Sequence, residues 1–282
     1  MPRTRFGEIM WKISIRGLVF ALTLIGTSHG QSDDGLKVFI SVDMEGITGV
    51  VSVDDASRGG KDYDYFRQTM TREANAAIEG ALAAGATEIV VRDSHGSALN
   101  LLPEMLNRNS KLLRDWSEGP MYMMEGIDAS FDAAIYIGYH ARAGTPNGVL
   151  DHTSSGNVTD VSINGLSMPE TGYNALMAGH FGVPVVFVAG DKAVCDQAEE
   201  LLGNVATVAV KEGIGAAALN LHPEVAREQI RDLVAAYNAH GDRGRFAELL
   251  ALFAHDASMD IGDGATYEGC LLYTSPSPRD RG

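Results

Sequence analysis

Short runs of near-continuous Val, Ile and Ala alternate along this chain with longer stretches in which apolar residues return every three or four positions. The runs Lys37–Asp43, Glu88–Asp93, Ala133–Gly138, Val185–Ala189 and Ala206–Val210 predict strands buried on both faces. The stretches Tyr63–Ala84, Glu170–Phe181, Lys192–Leu202 and Pro223–Ala239 predict helices. Strand then helix, repeated, implies an α/β fold: a mostly parallel sheet flanked by helices. In such sheets ligands collect beyond the carboxyl ends of the strands, where the loops converge.

The two ends of the chain depart from this alternation. Arg3, Arg5, Lys12 and Arg16 precede an apolar run, Leu18–Ile25, and small residues follow at Ser28 and Gly30. Residues 1–30 therefore read as a secretory signal cleaved near Gln31, too short to serve as a stable membrane anchor, which predicts a secreted or periplasmic protein. The strand–helix domain spans 36–233. Residues 235–269 resemble the opening of a SnoaL-like α+β domain and are expected to be a chimeric fragment, leaving the C-terminal part of the α/β domain incomplete. Cys270–Gly282 reads as translated adapter sequence and is expected to be disordered.

Composition narrows the chemistry. A formal charge of −15 argues against nucleic acid as a partner. Cys195 and Cys270 are the only cysteines, so no structural disulfide and no thiolate metal site is expected. Any metal would be held by carboxylates and imidazoles, which suits zinc, manganese or another first-row divalent ion.

Polar groups of that kind stand at the predicted strand ends. Asp43 and Glu45, two apart, would face one side of an extended strand, where two carboxylates repel unless a cation sits between them. The plainer reading is a strand-end Asp capping a helix beside a solvated Glu. A phosphatase-like Asp-x-Asp nucleophile fits less well, since the second acid is Glu and Ile47 follows Gly46. His95 follows the second strand, and Asp93 beside it suits either a capping role or the hydrogen bond that fixes the ring's tautomer. His140 follows the third strand, with Arg142 two residues later either binding a carboxylate or offsetting the acidic field. His152 is a candidate acid, base or oxyanion donor, or simply a surface-loop His. Glu170 opens a predicted helix, where the dipole favours a carboxylate whether or not it binds metal.

Taken in order, Ser41–Gly49, Asp93-Ser94-His95, Gly138–Ala143, His152, and Glu170 with Gly172 and Asn174 resemble the zinc-dependent D-aminopeptidase (DppA-type) metallopeptidase family over 36–233. The resemblance implies that Asp43, Glu45, His95, His140 and Glu170 bind two divalent ions, most simply Zn2+, with Asp43 bridging them, and that His152 is catalytic. It implies hydrolysis of N-terminal D-residues such as D-Ala from short peptides, through a hydroxide between the metals, in a ring-shaped homo-oligomer that an incomplete subunit would disfavour. A metal-dependent amidase or esterase acting on another acyl group, and a non-catalytic periplasmic metal- or peptide-binding protein, are the competing expectations.

Overall fold

The computed structural model describes residues 35–203, 205–236, 258–260 and 266–268. The expected signal segment, the terminal tail and most of the SnoaL-like stretch lie outside them. In chain order the elements are β1 (Leu36–Val42), a four-residue helix α1 (Val53–Ala56), α2 (Tyr63–Ala83), β2 (Ala86–Asp93), β3 (Lys111–Leu113), a 3-10 turn at Tyr122–Met124, β4 (Ala133–Tyr139), β5 (Ser162–Ile163) and β6 (Leu166–Ser167). There follow α3 (Glu170–His180), β7 (Val185–Asp191), α4 (Lys192–Leu202), β8 (Ala206–Ile214), β9 (Ala217–Asn220), α5 (Pro223–Ala236), β10 (Ser258–Asp260) and β11 (Thr266–Glu268).

The predicted parallel sheet is present, in the order β3-β2-β1-β4-β7-β8-β9. Every pairing in it is parallel except β8 with the edge strand β9. Alternate residues of the central strand serve different cores. Val38, Ile40 and Val42 join the cluster that includes Met70, Ala74 and Ile78 of α2 and Ile230 of α5. Phe39 faces the other layer, with Leu176 of α3 and Val194 of α4. Burial of such side chains on both faces stabilises each strand by roughly 1.5–3 kcal/mol per large residue, which explains why apolar runs without polar alternation become strands here.

A second, antiparallel sheet, β11-β10-β5-β6, joins the β5–β6 hairpin to the chain beyond residue 257. No described helix is long and apolar enough to cross a membrane.

The order of the large sheet reverses between β1 and β4: from β1 the chain moves outward to β2 and β3, and from β4 outward to β7 and β8. The connections therefore leave in opposite directions at that junction and open a crevice at the strand ends. Asp43 and His140 are the residues immediately after β1 and β4.

Candidate metal centre

The junction between β1 and β4 is closed by two glycines. Asp43 N donates to Ile137 O at 2.8 Å and Gly46 N to Gly138 O at 2.7 Å, which lays the Asp43–Gly46 turn across the end of β4. A Cβ on Gly46 would sit 1.9 Å from Tyr139 O, and one on Gly138, whose φ is 73°, would sit 2.2 Å from Asp43 O. Both partners are backbone atoms, so neither can swing aside. Gly138→Ala is expected to cost about 2–5 kcal/mol through left-handed strain and overpacking, read by urea denaturation, and to weaken metal binding in the same preparation.

Two expectations from the sequence need correction. Asp43 and Glu45 do not share the face of an extended strand: β1 ends at Val42, and the chain turns through Ile47 N→Met44 O at 3.1 Å. A turn, rather than pleating, brings their carboxylates together. Asp93 does not orient His95 either. Its oxygens accept from Asn100 N, Leu101 N and Asn100 Nδ2 at 2.6, 2.7 and 2.8 Å, clamping the loop after β2.

Each of the three imidazoles donates one ring N–H to a backbone carbonyl, which leaves its other nitrogen for the site. His95 Nε2 bonds Ala56 O at 2.8 Å, so Nδ1 faces Asp43 Oδ1 at 3.2 Å and Glu45 Oε2 at 2.9 Å. His140 Nδ1 bonds Ala141 O at 3.0 Å, and Nε2 stands 3.5 Å from Asp43 Oδ2 and 3.7 Å from Glu170 Oε2. His152 Nδ1 bonds Leu150 O at 2.9 Å, and Nε2 lies 3.9 Å from Glu170 Oε1. The His140 and His152 rings stack with centroids 4.1 Å apart. Glu170 opens α3, where the helix N-terminus favours its charge, and Ser154 N donates to it at 2.7 Å. All six residues singled out in the sequence thus meet at one place. The guanidinium of Arg142 makes no hydrogen bond or ion pair among the described residues.

The electrostatics show what this set lacks. Burial, with Glu45 and Glu170 alongside, pushes Asp43 up to about 8. Burial works against ionised Glu45 too, but the charge and hydrogen bond of His95 outweigh it and hold that carboxyl well below the usual range. Burial likewise disfavours protonated His140, yet Glu170 and Asp43 raise it to about 9. His95 is held well above its ordinary value by Glu45 and Asp43 against the same penalty. The buried acids are thus compensated by protons, on the Asp43 carboxyl and on two buried rings. His140 Nε2 has no hydrogen-bond partner. Its 3.5 and 3.7 Å spacings to carboxylate oxygens are long for hydrogen bonds but near the roughly 3.3 Å expected between two ligands held about 2.0–2.1 Å from one tetrahedral ion. Donor atoms of Asp43, Glu45 and His140, and of His140, His152 and Glu170, each fall within 4.8 Å of one another. The residues fit a divalent cation.

Beneath the site lie residues that pattern reading missed. Lys211, at 2% exposure, donates through Nζ to Glu45 O, Val50 O and, at 3.0 Å, Ile47 O. Glu73, on α2, accepts from Thr48 N at 3.0 Å. The edge strand contributes Asn220 Oδ1, which accepts from Gly49 N at 3.0 Å. Together they hold the turn that carries Glu45. The available signal was weak: a lysine ending the apolar run of β8, and a glutamate in helical register with Met70 and Ala77. Burial pushes Glu73 up to about 7. A carboxyl that is harder to ionise folded than unfolded loses stability as pH rises from its unfolded value, near 4.5, to about 7. Glu73→Gln is therefore expected to be about 3 kcal/mol more stable than the parent above pH 7 and to flatten the denaturation midpoint across that window.

Known proteins resemble this chain in sequence and in fold. The family model described as D-aminopeptidase, of the M55 peptidases, matches residues 36–257. A D-aminopeptidase of Bacillus subtilis (strain 168) is 42% identical over 184 residues, covering 65% of this chain and 66% of that relative, so the alignment spans just under two thirds of the relative's length. Among solved structures, the Zn-dependent D-aminopeptidase DppA from Bacillus subtilis, described as a self-compartmentalizing protease, superposes with a TM-score of 0.73 at 31% identity, over 84% of this chain and 93% of that one. A family match over most of the α/β domain, with the clustered carboxylates and imidazoles inside it, places this chain in the D-aminopeptidase family of M55 peptidases.

Proposed function

We propose that this chain is a binuclear zinc aminopeptidase that removes N-terminal D-residues, D-Ala among them, from short peptides. The observation that carries the reading is the posture of Asp43: one oxygen turns to His95 beside Glu45, the other to His140 beside Glu170. That posture supports two metal sites sharing one carboxylate, Asp43–Glu45–His95 and Asp43–His140–Glu170. Zinc is the metal named for the solved relative, and oxygen and imidazole donors suit it. Bound there, it would supply Lewis-acid polarisation of a carbonyl and an acidified water.

The chain's own residues supply the rest. The Nδ1–H of His152 is committed to Leu150 O, so Nε2 is the atom left to hold or release a proton. Its side chain keeps 25% exposure, unlike the sealed His140, and it lines the same cavity as Glu45 and His95. A substrate in that cavity would meet Nε2 either as a hydrogen-bond donor to the developing oxyanion or as the acid for the leaving amine.

Metal analysis of the purified protein, combined with assay of D-Ala against L-Ala amides, tests the reading. Two zinc equivalents per chain and a strong preference for the D-form are expected; hydrolysis of the L-form alone would refute the stereochemistry, and one equivalent would refute the binuclear centre. Assembly into a ring and export through residues 1–30 belong to the same proposal. Mass measurement of the native particle tests the first, and N-terminal sequencing of protein secreted by a host cell tests the second.

A further inference from the structure

The cavity beside the metal ligands, about 490 Å³, is lined by Glu45, His95 and His152 together with Val53, Ser57 and Arg58. That volume is within the range of small-molecule sites. Arg58 is the one Lys or Arg in its lining, and it is exposed, with no hydrogen bond or ion pair among the described residues. The chain as a whole carries 37 acidic against 22 basic residues. An unpaired guanidinium in a cavity whose lining acids are the buried Glu45 and the half-buried Asp151 is an attachment point for an anion.

The loop that carries Arg58 is pinned. Ser52 and Asp55 form a reciprocal cap at the start of α1, and Gly60 N closes a turn on Ser57 O at 2.8 Å. Ala56 O accepts the His95 ring N–H at 2.8 Å, so this loop is tied directly to an imidazole of the metal centre. Arg58 is two residues further on, a backbone distance of at most about 7 Å. An extended peptide of two or three residues spans at most about 7–11 Å. With its N-terminal residue at the metal centre, its far end falls in reach of the guanidinium, whose planar fork matches a carboxylate.

We propose that Arg58 recognises the free C-terminal carboxylate of a two- or three-residue peptide in this cavity, so that the site selects short peptide acids over the corresponding amides and over longer chains. The inference rests on the peptidase reading above and names the substrate class of that site. Arg58 acts on binding and leaves the reacting atoms alone, so its loss raises KM and spares kcat.

Zinc-loaded parent, Arg58→Gln and Arg58→Lys proteins are assayed on D-Ala-Gly and on its C-terminal amide. The expected result is a parent preference of about tenfold or more for the acid. In Arg58→Gln, KM for the acid rises about 10- to 100-fold, its kcat stays within about twofold, the amide changes less than about twofold, and Lys recovers part of the loss. Zinc content and melting temperature stay at parent values, because Arg58 is exposed and bonded to nothing described. Equal effects on acid and amide, or none on either, overturn the role of Arg58 while leaving the peptidase reading intact. If the parent cleaves neither compound, the peptidase reading fails, and this inference with it.

Discussion

Asp43→Ala is expected to strip the protein of most of its zinc and to lower turnover by at least about 10³-fold, more than either His95→Ala or Glu170→Ala. The reason is the division of labour in that carboxylate. Oδ1 stands 3.2 Å from His95 Nδ1 and Oδ2 stands 3.5 Å from His140 Nε2, so one substitution would remove a donor from both halves of the proposed centre. Losing a single aimed electrostatic group at a reacting centre commonly costs 10²–10³ in rate, and here the Lewis acids held by Asp43 would go with it. Metal content by mass spectrometry, measured beside kcat, checks the order; an Asp43→Ala protein retaining two zinc ions would deny the shared carboxylate.

The same residue gives a test of opposite sign. Without metal, Asp43 is held at about 8, against 3.8 when free, so the folded chain binds more protons than the unfolded one between those values. Stability of the metal-free protein must then fall as pH rises through that window. Asp43→Asn removes the charge without removing the shape. Metal-free Asp43→Asn is therefore expected to melt higher at pH 7 than the metal-free parent, whereas with zinc in excess the parent melts higher. A site that destabilises its own empty fold is the usual cost of assembling like charges for function.

The central strands of the large sheet were legible because they are sealed on both faces. Lys37–Asp43 and Ala133–Gly138 have no polar alternation, and each lies within one residue of the strand found. Short or edge strands were not legible. β3 is three residues long, β5 and β6 two each, and β9 pairs only with β8, so none carries a hydrophobic signature of its own. The miss over β9 matters, because Asn220 at its end anchors Gly49 in the ligand-bearing turn.

The candidate site divides the same way. His95, His140 and Glu170 follow or begin regular elements, so their convergence follows from the parallel topology alone. The Asp43–Glu45 pair converges for a reason the strand period does not contain, the mutual approach of Gly46 and Gly138. Lys211 and Glu73 act across separations of tens to more than a hundred residues, and periodicity carries no record of which distant backbone a side chain will meet.

His152→Ala is expected to lower kcat by about 10²–10⁴-fold, the span of a well-placed acid–base group, with both metals retained. The geometry makes this a sharper experiment than it would be for His140. His140 is sealed at 1% exposure with Nε2 between two carboxylates, as suits a ligand. His152 stacks on it but stays open to the cavity, and its Nε2 stands 3.9 Å from Glu170. Yet its donor atom also falls in one group with those of His140 and Glu170, so a ligand role predicts a different signature: loss of about one zinc equivalent together with activity. A protein that keeps both metals and loses turnover identifies a proton-transfer or oxyanion group. Retention of full rate with both metals would remove His152 from the chemistry altogether, leaving Tyr122, whose phenol feels the charges of Glu170 and Asp43, as the next side chain to vary.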